Sequence, residues 1–367
     1  MAREISTRVE LGARIAEARE ALGMTQSELA NSLGIERSIL AKMENGSRKV
    51  SATELVELAS ALRRPLDWFV VESPSAVVSR RRSSTAEFAE LDSTLERVSR
   101  DVERLVERGL LNVAPRPSFE TPRSINEAIA LAARIRRELD QISGPLLDLQ
   151  TACESLGLLA FSIFLGFGAG DAVYAEVGPG GVAIINGSTD PGRRRFSLAH
   201  ELGHHVIGDA YEGTDSGSET EHLLNAAAVH LLMPGDSVRQ AWQGLEQRYG
   251  PRLRALALAV EYRVSWSAAC GQLRNLGLIS YQNLEELIEV EPQKWEFLEL
   301  GMGWEAELEP PAVPRGYARQ VIDGYRLGRL TDTKTVELLH GTLDERELPP
   351  REPPSEAEVI EMIRPGR

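Results

Sequence analysis

Cysteine is scarce in this chain. There are two in 367 residues, Cys153 and Cys270, far apart and without CxxC spacing. That excludes a disulfide framework and fits a reducing, cytoplasmic setting with both thiols as buried packing residues. Long apolar runs are missing too. No stretch of 18 or more apolar residues occurs, so no membrane span is expected. The opening "MAREISTRVELGAR" lacks the apolar core of a signal peptide. An excess of positive charge is also absent. The formal net charge is −14, which excludes a protein that coats nucleic acid along its whole length, although a local patch can still bind it. Residues 1–70 hold ten Lys+Arg and ten Asp+Glu. The whole acidic excess therefore lies beyond them. Histidine is rare, yet three of the six, at 200, 204 and 205, sit together in "FSLAHELGHHVIGD". The length and a hydrophobic content of 42% fit two or three globular domains.

From Leu11 to Val70 the sequence reads as short helices punctuated by glycine. "LGARIAEAREALG" carries apolar residues at helical spacing and stops at Gly23. "TQSELANSLG" opens with a Thr25–Glu28 capping box and ends at Gly34, "IERSILAKMENG" ends at Gly46, and "SATELVELASAL" opens with a Ser51–Glu54 capping box. Two helices joined by so short a turn have the geometry that lays one into a major groove. Four helices in this order, with "TQSELA" and "MENGSR" between them, resemble the XRE (Cro/repressor-like) helix-turn-helix family. The resemblance implies a reading helix starting near Ile35. It places Arg37, Ser38 and Lys42 toward base edges, and Gln26, Asn45, Arg48 and Lys49 on phosphates. Glu44 matches the family and is expected to brace the turn. The competing reading is a helical bundle used for protein contact, since Glu36 and Glu44 make this face less basic than usual.

Residues 71–84, "VESPSAVVSRRRSS", read as a joint, and "SRRRSS" there as solvated linker or a phosphate contact. A stripe follows. Phe88, Leu91, Leu95, Val98, Val102 and Leu105 are spaced 3, 4, 3, 4, 3 among polar residues, after a Ser84–Glu87 capping box. This is the seam of a short coiled coil, which would join two DNA-binding heads as a homodimer. The rival reading packs this helix on its own chain.

From "SINE" at Ser124 the chain reads helix, helix, then strand. "GLLAFSIFLG" has strand length, and "AVYAEVGPGGVAIING" reads as two strands around a turn. "GRRRFSLAHELGHHVIGD" returns to helical periodicity. His200 and His204 are four apart, so both rings lie on one helix face and suit two ligands of one Zn²⁺. Glu201 points beside the pair, where a carboxylate can take the attacking water's proton and return it to a leaving amine. The spacing after His204 (Ile207, Ala210) excludes the metzincin third histidine. A glutamate on a following helix remains, and "SETEHLLNAAAVHLLMPGD" supplies Glu219 and Glu221, of which only one can face the metal. His205 reads as a surface residue or one just behind the ligands. His222, His230 and His340 have no ligand spacing. Asp209 could hold a ligand imidazole by its free N–H.

The segment resembles the ImmA/IrrE family of HExxH metallopeptidases, whose glutamate helix ends in "LLMP", here Leu231–Pro234. The family's ligand glutamate precedes an asparagine by four residues, which implies Glu221 before Asn225. Ala227 stands where an aromatic is usual, and Leu224 where alanine is. The resemblance extends over about 123–345. It implies an α+β zincin-like domain in which "GVAIIN" (Gly181–Asn186) could be the edge strand that pairs with substrate. "VSWSAACGQL" looks like a second helix-turn-helix, and reads more simply as a packing helix.

The expected fold is therefore multidomain. It comprises an all-α helix-turn-helix head at 1–72, a linker at 73–122 with a heptad helix at 84–108, a zinc peptidase domain at 123–300, and a helical extension and tail at 301–367. Family members are thought to cleave partner repressors in stress responses or mobile elements. The resemblance thus implies a DNA-tethered, zinc-dependent endopeptidase acting on a partner protein such as a repressor, its site active or latent. The alternative is a regulator or antitoxin-like protein whose peptidase-like domain senses or binds a partner without significant proteolysis.

Overall fold

The computed structural model describes residues 7–351 apart from 63, 65, 67, 68, 70–88, 167, 210–216, 304 and 305. The Ser84–Glu87 capping box, Phe88, the "SRRRSS" segment and the tail beyond 351 lie outside the described residues. The chain falls into two compact units, Met1–Arg100 with Gly168–Gly170, and the remainder.

The first unit opens with α1 (Arg8–Ala21), α2 (Gln26–Ser32), α3 (Arg37–Glu44) and α4 (Ala52–Ala61). Thr7–Glu10, Thr25–Glu28 and Ser51–Glu54 form complete capping boxes, each satisfying two otherwise orphaned backbone donors. Ile15, Leu29, Leu40, Met43, Leu58 and Leu62 make its core. α1 crosses α3 closely at Gly12, where an added Cβ would lie 2.3 Å from the Glu44 carbonyl oxygen. Glu44 accepts from Arg19 Nε at 2.7 Å and from Gln26 Nε2 at 2.8 Å, so it braces three helices.

Helix α5 (Ala89–Glu107) carries the heptad stripe. Leu91, Leu95, Val98, Val102 and Leu105 are buried within the single chain, and so are Asp92, Glu96, Ser99, Arg100 and Asp101 between them.

The second unit continues with α6 (Ile125–Glu138), α7 (Leu149–Ser155), β1 (Leu158–Ile163), β2 (Ala172–Val177) and β3 (Gly180–Asn186). Helices α8 (Pro191–Ile207), α9 (Gly217–Leu232), α10 (Gly235–Gly244), α11 (Pro251–Glu261) and α12 (Trp266–Asn275) follow. Next come α13 (Tyr281–Ile288), α14 (Lys294–Leu300), α15 (Arg315–Arg326) and α16 (Asp332–Leu338). The unit is thus helical around one small mixed sheet. The strand order is β1-β3-β2, with β1 parallel and β2 antiparallel to β3. A two-residue turn, Gly178–Pro179, joins β2 to β3, with Gly178 at φ +58.

This order corrects one expectation. Gly181–Asn186 is the central strand and not an edge. Its backbone is paired to Leu158–Ile163 on one side and to Ala172–Val177 on the other, which leaves no ladder groups for a substrate. The cause is topological, since the crossover from β1 returns through a hairpin that drops β3 between its predecessors.

Helix α8 packs on the sheet and against α9, which in turn packs on α6. Buried Arg136 of α6 donates to Leu231 O at 2.7 Å, Gln141 O at 2.7 Å and Gly144 O at 2.9 Å. It thereby satisfies a carbonyl in the last turn of α9. Burial pulls its pKa down to about 10. The "VSWSAACGQL" segment buries Trp266, Cys270, Gln272 and Leu273, and Gln272 Nε2 donates to Met233 O at 2.9 Å. Its residues are spent on packing.

Residues beyond 300 return to the sheet. Ser162 and Ala312 exchange both backbone hydrogen bonds, at 2.8 and 3.0 Å, and Ser162 Oγ donates to Leu308 O at 2.7 Å. Glu307 pairs with buried Arg195 of α8, and Glu309 meets Arg194 at 2.6 Å. The Tyr317 ring packs edge-on to Phe161, with centroids 5.0 Å apart.

Candidate metal centre

Helix α8 begins where Asp190 accepts from Arg193 N and Pro191 takes the first turn. It ends at Gly208, left-handed at φ 73, whose N–H returns to His204 O. Between them, the spacing of four puts His200 and His204 on one face, their ring centroids 4.8 Å apart. Helix α9 brings Glu221 against the pair. Glu221 Oε2 lies 3.1 Å from His200 Nε2, and Oε1 lies 3.3 Å from His204 Nε2. The two Nε2 atoms are 3.0 Å apart. One ligand atom from each of the three residues lies within 4.8 Å of the others. Glu219 is exposed and does not join them.

The donor set fits a divalent cation. His204 Nδ1 is held by Asp209 Oδ1 at 2.7 Å, which turns the Nε2 lone pair inward, the arrangement metal-bound histidines use. The His200 Nδ1 atom is buried without a partner among the described residues. Two imidazole nitrogens and a carboxylate converging on one point match a three-ligand site of the kind that keeps a position open for water or substrate. The electrostatics follow from this closeness. Burial disfavours a charged His204, but hydrogen bonds with Asp209 and Glu221 outweigh it and lift its pKa to about 10. Hydrogen bonds from His200 and then His204 hold the Glu221 carboxyl far below the usual carboxylate range. The Glu201 side chain, one residue on from His200, is buried and makes no hydrogen bond among the described residues.

His205 is neither a surface residue nor one that supports the ligands, which corrects the looser expectation for it. It is fully buried, faces the sheet, and bridges Tyr174 Oη at 3.0 Å and Leu156 O at 2.9 Å. The carbonyl can only accept, so Nε2 carries the proton and Nδ1 accepts from tyrosine. Burial lowers its pKa to about 4. Gly181 of β3 makes room, because a Cβ there would meet the Tyr174 ring at 2.4 Å and His205 Nδ1 at 2.9 Å. Sequence reading missed Tyr174, although its alternation within β2 aimed it at the helix-covered face. It also missed Arg116, which donates to His205 O at 3.2 Å and pairs with Glu176 at 3.0 Å. The departures at 224 and 227 are packed in. Leu224 is buried against α8 at Gly203, where a Cβ would stand 3.1 Å from Leu224 Cδ2, and Ala227 is buried beside it.

In the first unit, Arg37, Ser38 and Lys42 are exposed along α3, as are Asn45 and Lys49 after it. Gln26 is half-buried and tied to Glu44, and Arg48 is half-buried and pairs with Glu54 at 2.7 Å.

The helix-turn-helix family matches residues 15–69, and the family described as IrrE N-terminal-like domain matches residues 153–274. The second span holds both histidines, Glu201 and Glu221. The chain carries a helix-turn-helix domain and an IrrE-like domain. A curated relative, the radiation response metalloprotease IrrE of Deinococcus radiodurans, is 40% identical over 99 residues, 24% of this chain and 29% of that one. The protein of the same description from Deinococcus deserti is 37% identical over 86 residues, 21% and 29% of the two chains. An uncharacterized HTH-type transcriptional regulator of Sinorhizobium medicae is 35% identical over 66 residues, 18% and 48%. The chain thus spans less than a third of the Deinococcus relatives it matches. No helix among the described residues is long and apolar enough to cross a membrane.

Proposed function

We propose that this chain is a cytoplasmic transcription regulator that binds an operator and carries a zinc-dependent endopeptidase of zincin-like fold. The observation that carries the reading is the convergence of His200, His204 and Glu221 with Glu201 beside them. The peptidase substrate is a partner protein such as a repressor, and Arg37, Ser38, Lys42, Gln26, Asn45, Arg48 and Lys49 meet the DNA.

His200, His204 and Glu221 hold the metal, and Asp209 fixes the His204 ring. Zinc, when bound, supplies Lewis acidity toward the scissile carbonyl and makes water more acidic. Glu201 takes the proton from water as its oxygen adds to the carbonyl carbon. As the C–N bond breaks, Glu201 passes that proton to the leaving amine. The burial of Glu201 on α8, one residue from His200, supports this role. An extended substrate segment fits the outer edge of β2, since β3 is flanked on both sides and β1 is partly taken by Ala312.

The test is Glu201→Gln in the full chain, which keeps the metal and removes the base. Partner proteins then accumulate uncut and reporter transcription changes. If metal is retained, transcription is unaltered and no protein accumulates, the domain senses or binds a partner instead of cutting it. A purified wild type that holds no zinc after refilling would sink the ligand assignment.

A further inference from the structure

Helices α13 and α14 carry a surface that the peptidase reading leaves unused. Each has one face already committed to the core, through Leu287 on α13 and Leu300 on α14. Each also has a second apolar face turned outward. Tyr281 and Ile288 are exposed along α13, Val290 in the joint, and Trp295 and Leu298 along α14, with Leu298 at 81% and Trp295 at 59%. Monomeric proteins rarely group large apolar side chains on the surface, and such groups mark sites of interaction.

The surface is built rigidly. Arg252 donates to Val290 O at 3.0 Å, to Glu291 O at 3.2 Å and to the Glu296 carboxylate at 2.6 Å. Trp266 Nε1 donates to Leu287 O at 3.0 Å. The joint between the two helices is thereby pinned from beneath while Val290 faces out, and a preformed surface loses less entropy on binding.

Charge selects the occupant. Glu285, Glu286, Glu289, Glu291 and Glu299 are exposed among these apolar residues, against two exposed cations, Lys294 and Arg274, the latter 5.6 Å from the Tyr281 ring centroid. Five carboxylates repel anionic lipid and nucleic acid, and two copies of this face brought together would oppose like charges. We infer that the face formed by α13 and α14 docks a partner protein through a basic amphipathic helix, whose apolar side covers Trp295 and Leu298 and whose Lys and Arg meet the surrounding glutamates. Helix-in-surface recognition of this kind uses anchors at i, i+3 and i+4. The partner need not be a peptidase substrate, and the inference stands whether or not the metal centre cuts.

The probe is a synthetic twenty-residue amphipathic helix with Lys and Arg on one side and Leu on the other, paired with a version carrying Glu in place of every cation. Binding to the full chain is followed by fluorescence anisotropy. The basic peptide is expected to bind, more weakly as salt rises, and the acidic version not to bind. Leu298→Asp with Trp295→Ala should weaken binding by about tenfold or more, as should Glu285→Lys with Glu289→Lys. Ile129→Asp, at an exposed apolar position on α6, should leave binding unchanged. These positions are exposed, and an unchanged melting temperature verifies the fold of each variant. The inference is overturned if neither peptide binds, if the acidic peptide binds equally, or if Ile129→Asp weakens binding as much as Leu298→Asp with Trp295→Ala. It is equally overturned if that double variant alters only the oligomeric state or only the binding of anionic vesicles.

Discussion

His204 and Asp209 are joined through Nδ1 and Oδ1 at 2.7 Å, across the C-terminal turn of the helix that carries His200 and His204. The bond crosses Gly208, whose left-handed backbone reverses the chain so that a carboxylate five residues on reaches back to the ring. Asp209→Asn keeps the shape and removes the charge. Metal affinity should then fall by about tenfold to a hundredfold, read by competition with a chromophoric chelator. Equal affinity in wild type and variant would mean the pair only shapes the turn.

Glu221 and Glu219 separate cleanly. Glu221→Gln should abolish stoichiometric metal at chelator concentrations that the wild type withstands, while Glu219→Gln should behave as wild type. Metal analysis after gel filtration decides it. The reverse result would move the third ligand to 219 and require α9 to rotate.

Gly203 and Leu224 set the spacing between α8 and α9. Gly203→Val inserts bulk where a Cβ already stands 3.1 Å from Leu224 Cδ2. It should destabilise the chain by about 1–3 kcal/mol, measured by urea unfolding. Adding Leu224→Ala should recover part of that loss, since residues in contact are not additive. Strict additivity would show that the helices do not meet here.

Glu296 links stability to pH. Its carboxyl is held below the usual 4.5, first by the hydrogen bond from Arg252. A depressed folded-state pKa contributes stability that is fully present above about 4.5 and is lost as pH falls through the lower value. Wild type should therefore lose stability below about pH 4.5 more steeply than Glu296→Gln, which should also be less stable by about 1–3 kcal/mol at neutral pH. Parallel acid limbs in thermal melts across pH 3–7 would contradict the pairing.

Arg37 is exposed at the start of α3 and Lys49 lies beyond its end. Arg37→Ala should cost about 1–3 kcal/mol of operator binding and relax preference at one base. Lys49→Ala should weaken all sequences alike and reduce the salt slope by about one. Titrations at several salt concentrations separate these outcomes, and an Arg37→Ala chain that loses affinity equally on every sequence would make that residue a phosphate contact.

Local signals were legible because local physics decides them. The capping boxes at Thr25 and Ser51, the β2–β3 turn and the four-residue spacing of His200 and His204 all act within one turn or hairpin. What escaped depends on pairing across the chain. Nothing in "GVAIIN" says that it lies between β1 and β2. The burial of His205 is set by Tyr174 and Leu156, each at least 31 positions away. The α5 stripe showed an apolar seam, but its spacing could not show that Asp92, Glu96 and Asp101 would be buried with it.

Ala312 on the edge of β1 and Glu307 on Arg195 set the lower limit for any working fragment. A piece ended at 300 would leave the β1 edge unpaired at Ser162, a template for aggregation, and would strand the Arg195 guanidinium inside α8 without its counter-charge. The shortest soluble version of the metal-binding unit must therefore run past Ala312. A premature stop between 300 and 312, more than ninety positions from His204, should weaken the sheet and α8 without touching His200, His204 or Glu221.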